Sequence, residues 1–139
     1  MIEIANHTKI RLPLGLLLRA GENVLAREKK ERGRVSVACV GEARMRALNK
    51  RYRGKEYVAN VLSFAGDGKE LGEVVLCPLR IRKDAAEYGI IFKEALARML
   101  VHGLLHLIGY DHEKSGSRAG RMERKEKEYC REAFLPSRS

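Results

Sequence analysis

Three of the chain's four histidines fall within the eleven residues His102-Gly103-Leu104-Leu105-His106-Leu107-Ile108-Gly109-Tyr110-Asp111-His112. On a helix His102 and His106 project from the same face and can offer two imidazoles to one ion. Gly109 can take the left-handed conformation that ends a helix, which lets the chain double back and bring His112 to the same ion. Three neutral nitrogens about 2.0–2.1 Å from Zn²⁺ leave the fourth tetrahedral position for water, the pattern of a catalytic rather than a structural site. A single imidazole on an apolar helix face is ordinarily a core residue bonded to a carbonyl. Two of them one turn apart, at about 1–3 kcal/mol for each buried polar atom left unpaired, point instead to a shared ion.

The spacing matches the histidines of the metzincin pattern His-Glu-x-x-His-x-x-Gly-x-x-His. Where a peptidase has its glutamate base, this chain has Gly103, which can neither take a proton nor orient a water. The metal geometry without the peptidase base argues against peptide hydrolysis and toward a site where the metal activates water or polarises a substrate oxygen.

A second group of residues suits a polyanion. Arg44, Arg46, Lys50, Arg51, Arg53 and Lys55 crowd one short stretch, with Tyr52 and Tyr57 interleaved as surfaces on which bases could stack. Lys and Arg exceed Asp and Glu by 28 to 18, a net charge of +10 that favours an anionic partner. Arg51, Tyr52 and Lys55 are candidate nucleic-acid contacts. No basic amphipathic helix with a strong apolar face suggests a membrane surface.

These two groups are the blocks by which the chain resembles a known family. Residues 102–112, together with Leu48-Asn49-Lys50-Arg51-Tyr52-Arg53-Gly54-Lys55, Asn60-Val61-Leu62-Ser63-Phe64 and Leu71-Gly72-Glu73-Val74-Val75-Leu76-Cys77-Pro78, are similar in order and spacing to the signatures of the YbeY family. The resemblance runs from about residue 33 to 130. It implies a bacterial zinc-dependent endoribonuclease acting in maturation of ribosomal RNA, particularly the small-subunit RNA, and in ribosome quality control. It also implies single-stranded RNA, as rRNA or ribosomal particles, for a partner, and it makes Arg53 the counterpart of the family's arginine. That residue is the candidate catalytic group that would neutralise charge on a phosphodiester during cleavage. Two departures stand out. Val58-Ala59-Asn60 replaces the usual Pro-Thr-Asp or Pro-Thr-Asn, and the stretch between Phe64 and Leu71 is short.

The elements that must position these groups follow from periodicity. Ile2–Ala5 reads as a strand, and Leu14, Leu17, Leu18, Val24 and Leu25 recur at helical spacing. Arg34–Val40 alternates as a strand, Glu42–Arg51 reads as a short helix, and Val61–Phe64 and Gly72–Cys77 as a hairpin around Gly66-Asp67-Gly68. Leu79–Tyr88 is helical, and Phe92–Ile108 is apolar on nearly all sides, a helix buried at the centre with the histidines at its end. Arg118–Phe134 is a last helix with Met122, Tyr129, Ala133 and Phe134 on its inner face. The expected fold is α+β, a small mixed sheet covered by helices, with the central helix carrying the metal ligands.

At 139 residues, 45% hydrophobic and 33% charged, the chain is expected to form one globular domain over residues 1–139. No apolar run approaches the roughly 18 residues of a membrane span, and the Leu12–Leu18 stretch is short and lacks a small-residue cleavage site, so a cytoplasmic protein is expected. Cys39, Cys77 and Cys130 are odd in number and scattered, hence reduced core residues rather than ligands. His7 is a structural or surface residue, and Asp111 is either an outer partner of a ligating histidine or a cap for the turn. The rival readings are a zinc metalloprotease and a non-catalytic RNA-binding assembly factor.

Overall fold

The computed structural model describes residues 1–110 and 117–135, with side chains in the second span from Gly120 onward. Its elements run β1 (Ile2–Asn6), α1 (Leu14–Arg27), β2 (Arg34–Cys39), α2 (Glu42–Arg53), β3 (Val61–Ala65), β4 (Glu70–Leu76), α3 (Pro78–Tyr88), α4 (Phe92–Ile108) and α5 (Ser117–Ala133). The four strands form one mixed sheet in the order β1-β2-β4-β3. β1 and β4 flank β2 in parallel, and β3 folds back antiparallel on β4, so the expected α+β fold and hairpin are present.

Both faces of the sheet are covered, and the pleat sorts the residues between them. Val35, Val37 and Cys39 of β2 with Val74 and Leu76 of β4 join a core closed by α1, α4 and α5. The residues between them, Ala38 and Val75, face the other way into a smaller cluster with Met45 and Leu48 of α2. The end of β4 is therefore buried on both sides, and its unbroken run Val74-Val75-Leu76 reflects that position.

α4 is central to the larger core. Leu96, Ala97, Leu100, Val101, Leu104 and Leu105 are all fully buried, which at about 1.5–3 kcal/mol per large apolar side chain makes this helix a principal source of stability. It ends at Gly109, whose φ of +114° is open to glycine and strained for any residue with a Cβ. Tyr110 just beyond donates its hydroxyl to Glu28 Oε1 at 2.9 Å, and Tyr129 of α5 donates to the other oxygen of that carboxylate. Burial first, then the Glu28 carboxylate, raises both phenols above their ordinary pKa, so both remain donors at neutral pH.

Several boundaries differ from the sequence reading. α2 continues past Arg51 to Arg53 because Gly54 supplies the left-handed cap, φ +68°. β4 begins at Glu70, which pairs with Arg34 of β2 and forms an ion pair with it at 2.8 Å, and it stops before Cys77, the N-cap of α3. Phe134, expected on the inner face of the last helix, lies past its end and is 37% exposed. One residue beyond Ala133 the helical rotation of 100° has already carried the chain off that stripe. The inner place goes to Glu126, buried in line with Met122, Tyr129 and Ala133.

The cysteines are free thiols, as expected, with Cys39 and Cys77 buried. Burial pushes the Cys39 thiol up to about 11, so it stays protonated at neutral pH. His7 is exposed, its backbone N–H bonded to the Cys39 carbonyl at 2.9 Å. Among the described residues no helix is long and apolar enough to cross a membrane.

A cleft at the sheet edge as candidate active site

His102 and His106 lie one turn apart on the last two turns of α4, half-buried, with ring centroids 4.8 Å apart and planes inclined at 62°. The geometry expected from the spacing is thus present for this pair. His102 Nδ1 lies 3.0 Å from Glu126 Oε1. A carboxylate can only accept, so Nδ1 carries the hydrogen and the lone pair of this imidazole belongs to Nε2. Glu126 is itself 7% exposed, with Arg98 at 3.9 Å from its other oxygen. Two imidazoles on one helix face, one of them backed by a buried carboxylate, are a donor set that fits a zinc-like dication. Among the described residues no third His, Cys, Asp or Glu completes a ligand group with them. The expected third ligand, His112, and its neighbour Asp111 lie outside the described residues.

The basic group approaches from the other side. α2 packs on the opposite face of the sheet from α4, so residues of the two helices can meet around an edge of the sheet, here the outer edge of β3. They do so there. A cleft of about 570 Å³ is lined by Tyr52 and Arg53 from the end of α2, by all of β3, and by His102, His106 and Leu107 from α4. Tyr52, half exposed, packs edge-on against Phe64 of β3 with centroids 5.0 Å apart. The Arg51 guanidinium lies over the Tyr52 ring at 5.4 Å. Lys55 is exposed on the connection after α2, and Lys50 pairs with Glu56 at 3.0 Å, so neither belongs to the cleft wall.

Two residues without an assigned role in the sequence reading hold this arrangement. Asn49, fully buried on α2, donates Nδ2 to the Tyr57 carbonyl at 3.0 Å and pins the connection that leads into β3. Ser63 Oγ donates to the Gly103 carbonyl at 3.0 Å, stitching β3 to the histidine helix. Ala59, standing where a threonine is usual, is 5% exposed among Val40, Met45 and Leu62, so this position serves packing here. Glu126 had a signal in the sequence. It is the one acidic residue on an otherwise apolar stripe at 122, 126, 129 and 133, and a charge at such a place needs a partner.

Gly103 also has a physical reason. A Cβ built there would lie 2.7 Å from Val74 Cγ1 and 3.2 Å from both Ser63 Oγ and Val61 Cγ2. The histidine helix sits that close to the sheet, so a peptidase glutamate cannot occupy this position in this packing.

Comparison with known proteins agrees with the residues. The family model described as Endoribonuclease YbeY matches residues 6–133. The protein named Endoribonuclease YbeY from Geobacter sulfurreducens is 38% identical over 138 residues, covering 91% of each chain. The protein of that name from Chloroflexus aurantiacus is 34% identical over 148 residues, 97% of this chain and 96% of its own. The Thermodesulfovibrio yellowstonii protein of that name is 42% identical over 98 residues, a match that spans 62% of its length. The solution structure of TM1509 from Thermotoga maritima superposes with a TM-score of 0.72 at 31% identity, over 96% of this chain and 89% of that one. The chain belongs to the endoribonuclease YbeY family.

Proposed function

We propose that this chain is a zinc-dependent endoribonuclease that cuts single-stranded RNA in the cytoplasm, in the course of small-subunit ribosomal RNA maturation and ribosome quality control. The observation that carries this reading is the meeting of Arg53 with His102 and His106 around the edge of β3, in one cleft, from opposite faces of the sheet. His102, His106 and His112 would hold the ion. When bound, zinc supplies a Lewis acid for a phosphoryl oxygen.

The chain's own residues divide the remaining work. Glu126 keeps His102 in one tautomer and one orientation. Arg53 offers a planar fork of N–H donors that fits two phosphate oxygens and stabilises charge as the phosphodiester breaks. Tyr52, braced by Phe64 and by Arg51, presents an aromatic face to an unstacked base, which favours a single strand over a duplex. Gly103 provides no proton acceptor, which disfavours the peptidase reading.

Turnover of a synthetic single-stranded RNA, measured with and without a chelator and with His106→Ala, tests the assignment. Cleavage by the zinc-loaded chain, lost on chelation and in the variant, is expected. Binding without any cleavage would favour the assembly-factor reading, and peptide release from casein would revive the protease.

A further inference from the structure

Resting on that reading, we infer that the outer edge of β3 is itself an RNA-binding element, whose backbone N–H and C=O groups hold the sugar-phosphate chain between Arg53 and the histidine pair. The hydrogen-bond register settles which groups face outward. In the β3–β4 pair, Cys77 N–H bonds the Asn60 carbonyl at 2.9 Å and Gly66 N–H bonds the Leu71 carbonyl at 3.0 Å. In an antiparallel ladder such pairs alternate with pairs that point away from each other. Leu62 and Phe64 therefore turn their amides inward to β4, whereas Val61, Ser63 and Ala65 turn theirs outward.

β3 is a terminal strand of the sheet, and no described strand pairs with that outer side. An unpaired row of donors and acceptors invites a partner. Here the whole strand lines the cleft. The outward N–H groups repeat every two residues, about 6.7 Å, a step comparable to the distance between phosphates in an extended single strand. Phosphate oxygens accept from these N–H groups, and the ribose 2′-hydroxyl can donate to the carbonyls between them. Arg53 at the same edge and the net charge of +10 select an anionic chain over a peptide strand.

Proline separates this contact from folding, because at an outward position of an edge strand it removes an N–H the sheet does not use. Ala65→Pro and Ser63→Pro are compared with the parent chain for affinity toward a fluorescent oligouridylate, with Ser63→Ala giving the baseline for loss of the hydroxyl. Replacing residue 65 by its α-hydroxy acid deletes the same N–H as an ester without adding bulk, and it decides the matter if a proline variant fails to fold. Retained melting temperature with affinity lower by about ten-fold or more, the worth of one hydrogen bond to a charged oxygen, is expected. Unchanged affinity and cleavage in the ester variant, with the parent chain active, would overturn the edge contact and leave the ribonuclease reading standing. A parent chain that neither binds nor cuts RNA would overturn both.

Discussion

A guanidinium at position 53 can give two parallel N–H donors to a phosphate, where an ammonium is a compact point charge. Arg53→Lys should therefore keep most of the RNA affinity and lose cleavage by about 10²-fold, as when one donor to a developing oxyanion is removed. Single-turnover cleavage beside binding measurements checks this, and near-normal cutting would reduce Arg53 to a phosphate anchor. Glu126 acts on a different link. Its contact with His102 Nδ1 sets which nitrogen carries the lone pair, so Glu126→Gln should weaken zinc affinity by about 10–100-fold. Competition with a chelator measures the affinity, and ¹⁵N shifts of the His102 ring in the metal-free chain report the tautomer directly. Gln keeps an accepting oxygen, so the tautomer is read in Glu126→Ala, and a single, unchanged Nδ1–H tautomer there would show that Glu126 does not set it.

At the scale of elements, the site depends on how closely α4 lies against the hairpin. Ser63 bonds the Gly103 carbonyl, and the neighbours of a Cβ at Gly103 include two β-branched valines with little rotamer freedom. Gly103→Ala gains up to about 1 kcal/mol of helix propensity and meets an overpacking cost of about 1–3 kcal/mol. A net loss of stability, read as a lower denaturation midpoint at constant slope, is the expected outcome. A stabilised variant would mean that the helix can move off the sheet without cost. The same close approach brings His102 and His106 to the rim of β3, within reach of an arginine anchored across the sheet on α2.

For the whole molecule the governing quantity is charge. A net +10 with Arg44, Arg46, Arg51, Arg53 and Lys55 exposed along α2 and its connection makes phosphate neutralisation the main source of RNA affinity. The logarithm of the binding constant should fall linearly with the logarithm of salt concentration, at about −0.7 per phosphate contacted on a single strand. Fluorescence anisotropy across a salt series tests this. A flat response would mean that stacking on Tyr52 and the strand edge, rather than charge, carry the binding.

The pair His102 and His106, the helix beneath them and the basic run from Arg44 to Lys55 were legible in the sequence, because each depends on residue types at short spacing along the chain. Helix and strand periods are local properties, and so are glycine stops such as Gly89 and Gly109. Glu126 escaped that reading because its partner is 24 positions away, and only the packing of α5 on α4 makes it a neighbour of His102. The strand order β1-β2-β4-β3 was equally out of reach, since nothing in a strand's own alternation names its neighbour. Tertiary structure alone placed β3 at the edge and put α2 and α4 on opposite faces. That arrangement decides the site: groups of opposite faces can share a substrate where the sheet ends, and the edge that both Arg53 and the histidine pair reach is β3.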